Sequence, residues 1–304
     1  MSAICGFLNV RKPAGMTSSD VVEEVRSILG ERCGHAGTLD PQAEGVLVIG
    51  VGPARKFISY LAGDKEYEGV MLLGMESDTL DSSGTMTLPR RPVTASPDKI
   101  RETGADLVGT IDLAVPVYSA VHVGGRRLYE LARSGVPVSP PVRPAVIHAL
   151  EILEICLPPH DRASRVRFRV RCAPGTYVRA LTAEWGRRLE CGAVLERLTR
   201  TRSGPFAIER AITLDKLREL AGTDGVRGVI VPADDALAHL PRASFDDSGA
   251  RRLRQGQAVP APGGFEAGSL VRLVLADGLI GVGRVDSDGK HPIVLRPERM
   301  ISEG

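Results

Sequence analysis

Long apolar runs are missing from this 304-residue chain. None approaches the ~18–20 residues a helix needs to cross a bilayer, so no membrane association is expected. Cysteine is scarce and badly spaced for cross-linking. Cys5, Cys33, Cys156, Cys172 and Cys191 are odd in number and form no C-x-x-C pair. That argues against a disulfide framework and against a structural zinc site. Cys33 and His35 stand close together but lack a second ligand pair, so no metal is expected. Residues 1–10 carry neither a charged n-region nor a long apolar h-region, so no secretory signal is read there. A reducing cytoplasm is the expected compartment. No Walker phosphate loop, no dinucleotide fingerprint after a strand and no internal repeat is found. An excess of one charge is lacking too: the formal net charge is +2, which excludes a global polycation.

What is present centres on Gly34-His35-Ala36-Gly37-Thr38-Leu39-Asp40-Pro41-Gln42-Ala43-Glu44-Gly45. Before it, Thr17 or Ser18 caps a helix running to about Leu29. Val21, Val22, Val25, Ile28 and Leu29 line one face at helical spacing, and Gly30 ends it. After it, Val46–Ile49 is a short apolar run that reads as a buried strand. Pro41 lacks a donor and pushes Asp40 out of the α region. Asp40 is therefore expected in an extended or turn conformation, on a loop that Gly34, Gly37 and Gly45 allow to bend. A carboxylate presented on a stiff loop at a strand mouth suits chemistry. Taken alone, Asp-Pro is more often a plain turn initiator.

Cationic residues cluster further along. From Arg162 to Arg202 there are eleven arginines and three glutamates. Within that stretch Arg165–Cys172 alternates strictly, which predicts a strand with Val166, Phe168, Val170 and Cys172 inward and four arginines outward. Four like charges on one face repel, and a polyanion opposite would relieve them; a solvated face is the alternative. Tyr118–Arg133 reads as strand, Gly-Gly turn and helix, with Arg126, Arg127 and Arg133 as a cationic helix face. Arg11-Lys12 sits in a Pro-Gly turn, open to phosphate or to solvent. Lys65–Gly74 reads as a strand with Tyr67 near its start. Ser77–Gly84 lacks the ligand spacing of a calcium loop and reads as a turn. Residues 89–97 read as a linker, and Pro137, Pro140, Pro141 and Pro144 as a stiff return. Pro174-Gly175 turns the chain and Thr176 opens a helix. Residues 221–245 are left as linker or packed structure, with a boundary near 240. The last 60 or so residues alternate short β-like runs with Gly-Asp turns, as in a small β-barrel or sandwich.

The string GHAGTLDP at 34–41 closely resembles the motif of the TruB family of tRNA pseudouridine synthases. KPAGMTS at 12–18, KEYE at 65–68, SDTLDSSG at 77–84, GTYVRAL at 175–181 and RLTRTRSGPF at 197–206 resemble further motifs of that family, through most of residues 5–240. The C-terminal residues resemble a PUA-type RNA-binding module more weakly. The resemblance implies an α+β (mixed α/β) fold. Residues 1–240 would form the catalytic domain around a central, mainly antiparallel sheet, with 118–145 as an RNA-gripping insertion. Residues 241–304 would form the β-rich PUA-like domain. It implies isomerisation of uridine 55 in the tRNA T loop, with Asp40 catalytic. Tyr67 would stack on the base, Tyr177 and Arg179 would stand beside the aspartate, and Leu198 would line the uracil pocket. His35 would meet the RNA in place of flipped nucleotides. Lys12, Arg126, Arg127, Arg167 and Arg169 are candidates for the RNA backbone. Where the family commonly has SALK, this chain has Ser119-Ala120-Val121-His122. The partner implied is the T stem-loop of tRNA, with no cofactor, no obligatory protein partner and no guide RNA.

An ionised, buried Asp40 would need a cation, and Arg179 is the expected one. Two other readings are open. A non-catalytic RNA-binding or RNA-folding protein would leave Asp40 dispensable. A glycosidase-like hydrolase would need a second acid, for which Glu44 is the near candidate.

Overall fold

A computed structural model describes residues 4–87, 91–119, 121–134, 138–158, 163–276, 278–287 and 293–301. Residues 89–90 of the expected linker, Pro137 and Arg162 lie outside the described residues. The chain divides into two compact units. One comprises residues 1–41, 45–62 and 204–304, the other 42–44 and 63–203.

The first unit begins with β1 (Gly6–Lys12), α1 (Ser18–Leu29), β2 (Cys33–His35), β3 (Glu44–Val51) and a 3-10 helix (Gly52–Tyr60). The Thr17 hydroxyl accepts from Asp20 N–H, and the Asp20 carboxylate accepts from Thr17 N–H. This reciprocal cap satisfies two amides that a helix start leaves unpaired. Gly30, at φ 67°, closes the helix by donating to Arg26 O. Val21, Val22 and Val25 bury against Leu8, Val10, Leu47 and Ile49. β1 and β3 pair antiparallel from Gly6↔Val51 to Lys12↔Gly45.

The second unit contains β4 (Lys65–Leu73), α2 (Pro97–Ala105), β5 (Gly109–Ala114), β6 (His122–Val123), β7 (Arg126–Arg127), α3 (Leu128–Arg133), β8 (Val142–Cys156), β9 (Arg165–Cys172), α4 (Val178–Arg188) and β10 (Ala193–Ser203). Its sheet runs β10-β4-β9-β8-β5, every pairing antiparallel. Register puts Tyr67 opposite Val170, Gly69 opposite Phe168 and Met71 opposite Val166, so these six share one face. α4 packs on that face through Trp185, fully buried and edge-on to Phe168 at 5.8 Å. A Cβ at Gly69 would come within 2.5 Å of the Phe168 ring, so only glycine admits this packing.

The chain then returns to the first unit with β11 (Phe206–Ala207), α5 (Leu214–Leu220), α6 (Gly225–Val229), β12 (Ile230–Val231), α7 (Ala233–Ala236), β13 (Arg242–Ser244), α8 (Asp247–Arg254), β14 (Val259–Pro260), β15 (Leu270–Leu275), β16 (Gly278–Asp286) and β17 (Val294–Met300). The last five strands form a sheet in the order β13-β15-β16-β17-β14. Leu253, Val271, Leu273, Val285 and Leu295 build its own core. Residues 221–245 are packed structure. Val231 pairs with Phe7, and Ala233, Ala236 and Leu237 share a cluster with Phe7, Phe57 and Val282. Arg272 ties this segment down, donating to Leu240 O at 2.9 Å and to the Asp234 carboxylate at 2.8 Å.

The fold is α+β, with a large, mainly antiparallel sheet and a β-rich C-terminal part. Among the described residues no helix is long and apolar enough to cross a membrane. Several expectations need correction. His35 belongs to the short strand β2, paired with Ile49, where a continuous loop was expected. Gly34 is strand too, and Gly45 (φ 104°) already belongs to β3, so the loop itself bends at Gly37 (φ 139°). Arg126 and Arg127 lie on the return strand of a hairpin, ahead of the helix, because Gly124 and Gly125 turn the chain one strand earlier. α4 starts at Val178 with Tyr177 as its cap. Pro144 falls inside β8, opposite Asp112 and beyond the reach of β9, where its missing N–H breaks no second ladder.

Candidate active site

The Asp40 loop is held from both sides by the first unit. Ser18, buried in the first turn of α1, accepts from Leu39 N–H at 2.8 Å and donates to Leu39 O at 3.0 Å. On the other flank, Pro41 O accepts from Gly15 N–H at 2.8 Å and from the Lys12 ammonium at 3.0 Å. Lys12 also donates to Pro13 O at 2.9 Å. The backbone before and after Asp40 is thus fixed, while Asp40 itself is half-buried. His35 is half-buried at the end of β2, and its Nδ1 accepts from Gly37 N–H at 3.4 Å.

Lys12 was expected to contact RNA phosphates. It is fully buried, with its ammonium on two backbone carbonyls, so its position is that of a loop brace. Burying a lysine charge is costly unless it is hydrogen-bonded, and those carbonyls offset the cost. Ser18 and its bonds to Leu39 were missed by sequence reading. The KPAGMTS string was the available signal, but nothing in it says which hydroxyl caps the helix and which reaches the loop. Ser18→Ala leaves the buried Leu39 N–H unpaired, which costs about 1–3 kcal/mol. The expected result is a lower melting temperature together with a lower kcat at little-changed KM. Thermal melts and single-turnover rates check it, and a variant unchanged in both would remove Ser18 from the loop's support.

The second unit gathers another set. Tyr67 is buried on β4, directly opposite Arg200 of β10, while Leu198 stands opposite Gly69 on the same face. Tyr177 caps α4 and is half-buried. Arg179, in the first turn, is buried. Its guanidinium donates to Thr79 O at 2.9 Å and Tyr118 O at 3.2 Å, and lies 3.8 Å from the Asp81 carboxylate. Asp81 is buried in turn and accepts from Thr79 Oγ1 at 2.6 Å, Ser83 Oγ at 2.7 Å and Ser83 N–H at 3.0 Å. The turn at 77–84 therefore holds an arginine, and Asp81, read from sequence as part of a plain turn, is a counter-ion. Glu44, the second acid a hydrolase would need, accepts from Thr199 Oγ1 at 3.1 Å.

The arginine-rich face of β9 departs from expectation. Arg165, Arg169 and Arg171 do point outward, but carboxylates from other strands meet them. Arg165 makes a two-pronged pair with Glu196 at 2.9 and 3.0 Å. Arg169 reaches Glu68 at 2.7 Å and Glu151 at 3.3 Å, and Arg171 lies 3.7 Å from Asp64. No polyanion is needed to relieve repulsion, because register brings the opposite sign from β4, β8 and β10. Arg167 is exposed, as are Arg126 and Arg127 on their hairpin. Among the described residues no group of three or more His, Cys, Asp or Glu side chains could hold a metal ion.

The chain is a pseudouridylate synthase by family, and it belongs to the TruB family of these proteins. Residues 26–178 match the model of the TruB family pseudouridylate synthase N-terminal domain. Residues 179–238 match the tRNA pseudouridylate synthase B C-terminal domain, and 241–301 match the C-terminal model of pseudouridine synthase II TruB. Among curated relatives, a protein of Aromatoleum aromaticum is 40% identical over 98% of this chain and 92% of its own length. One of Moorella thermoacetica is 38% identical over 98% and 99%. Both are named tRNA pseudouridine synthase B. Among solved structures, the chain is similar to one in a Cbf5-Nop10-Gar1 complex, with TM-score 0.74 and 29% identity over 98% of this chain and 85% of that one. It is also similar to one in an archaeal box H/ACA sRNP Nop10-Cbf5 complex, with TM-score 0.71 and 28% identity over 98% and 86%.

Proposed function

We propose that this chain isomerises uridine 55 in the T loop of tRNA to pseudouridine. The observation that carries the reading is the Asp40 loop, braced on Leu39 and on Pro41 within a chain of the TruB family. The reaction breaks the N1–C1′ glycosidic bond, turns the uracil and rejoins it through C5, releasing the C5 proton. The base must leave the stack to be reached, at a cost of a few kcal/mol. Tyr67 as a stacking platform and His35 in the vacated space offset that cost. Asp40 attacks C1′ or removes the neighbouring sugar proton as the bond breaks. Arg179, held by the Asp81 carboxylate and by the Thr79 and Tyr118 carbonyls, is proposed as a positioning residue, and Tyr177 and Leu198 as lining of the uracil pocket. Atoms balance without a redox partner or hydrolytic water, so the chemistry calls for no cofactor.

Exposed Arg126, Arg127 and Arg167 are proposed for the RNA backbone, and residues 241–304 as a PUA-like RNA-binding domain. tRNA alone is the proposed partner, because the relatives at 38–40% identity are named for tRNA. The structures titled with Nop10 and Gar1 stand at 28–29%. A cytoplasmic setting, where tRNA is processed, goes with this reading. The test is tritium release from transcripts labelled at uracil C5. Release that stops when the T-loop uridine is replaced supports the reaction and the position. Tight tRNA binding with no release would turn the reading to an RNA-binding protein.

A further inference from the structure

Lys65 opens β4, two residues before Tyr67, and so stands on the same face of the sheet. Its strand neighbours are Cys172 on β9 and Ser203 on β10, while Arg200 lies diagonally across, opposite Tyr67. Arg200 is almost wholly buried and Lys65 is half-buried. Among the described residues the Lys65 ammonium has no hydrogen bond and no carboxylate. Asp64, next to it in sequence, is taken by Arg171 at 3.7 Å and His148 at 3.1 Å. Burial first, and then the Arg200 guanidinium, hold the Lys65 pKa below its ordinary value. A lysine without a counter-ion, beside a second cation on a partly dry face, is an arrangement that an anion would stabilise.

We propose that Lys65, beside Arg200, forms an anion subsite that takes the phosphodiester flanking the target uridine. This rests on the reading of Tyr67 as the stacking residue. Two residues along a strand span roughly 6.6 Å, about the length of one nucleotide. A base stacked on Tyr67 therefore brings its own backbone to Lys65. A lysine ammonium suits this as a point charge that needs no fixed phosphate orientation. The subsite grips the strand at the base being turned, separately from the exposed arginines of the hairpin.

The experiment measures equilibrium binding of T-arm transcripts against salt for the wild type, Lys65→Met and Lys65→Arg. Neutral methylphosphonates replace each phosphate flanking the target uridine in turn. Lys65→Met is expected to bind about five- to tenfold more weakly and to lower the slope of log affinity against log salt by about 0.7–0.9, one phosphate's worth. Lys65→Arg keeps affinity and slope. One methylphosphonate weakens the wild type, yet costs the Lys65→Met variant nothing further. An unchanged slope in Lys65→Met, or equal added losses from every methylphosphonate in both proteins, overturns the subsite. Should Lys65→Met fail to fold, Lys65→Gln carries the same comparison. Tritium release by the wild type is scored separately, so failure of the proposed reaction and failure of the subsite are distinguishable.

Discussion

Asp40→Asn lowers tritium release from tRNA by about 10³-fold or more while leaving tRNA affinity within about threefold. Asparagine matches the carboxylate in size but carries no charge. It can neither attack C1′ nor take a proton from the sugar. The loop does not depend on this substitution for its shape. Ser18 holds Leu39 through both backbone groups, and Lys12 and Gly15 hold Pro41 O, whatever stands between them. The variant therefore folds and binds, and the loss appears in the chemical step. Single-turnover rates and filter binding on the same preparation separate the two effects. Tritium release by the Asp40→Asn variant at near the normal rate would end the assignment of Asp40 as the catalyst.

Arg179→Lys is expected to cost about 2–3 kcal/mol of stability and to remove most turnover, even though the charge is kept. The guanidinium spans Thr79 O, Tyr118 O and the Asp81 carboxylate from one planar group. A lysine ammonium reaches at most part of that set, and leaves a buried carbonyl or Asp81 short of its partner. The same contacts tie α4 to the 77–84 turn and to the base of the Tyr118–Arg133 hairpin, so the loss is structural and positional together. Urea melts report the first part and single-turnover rates the second. Near-normal turnover in the lysine variant would refute the positioning role, and unchanged stability would refute the account of the contacts.

Helix α1 was legible because its signals are local. A threonine cap, valines at helical spacing and a closing glycine act within one or two turns. The alternation of Arg165–Cys172 was legible for the same reason, since adjacent strand residues must face opposite sides. The surroundings of Lys12 and Arg169 were not legible because their partners are distant in sequence. Lys12 meets Pro41 29 residues away, and Arg169 meets Glu68 101 residues away. A cation's neighbours in sequence give its local charge, but strand register decides which carboxylates it meets.

The sequence by itself determined helix α1, the alternation of β9, the family and the identity of the residues available for chemistry. Those follow from short-range sterics, capping and motif strings. Only the tertiary structure decided which of the polar residues are open to a substrate. It turned Lys12 into a brace, Asp81 into a counter-ion and the arginine face into a balanced lattice. Among the described residues, it left the Lys65 ammonium without a counter-ion. The physical reason is that burial and pairing are properties of contacts between strands far apart in the chain.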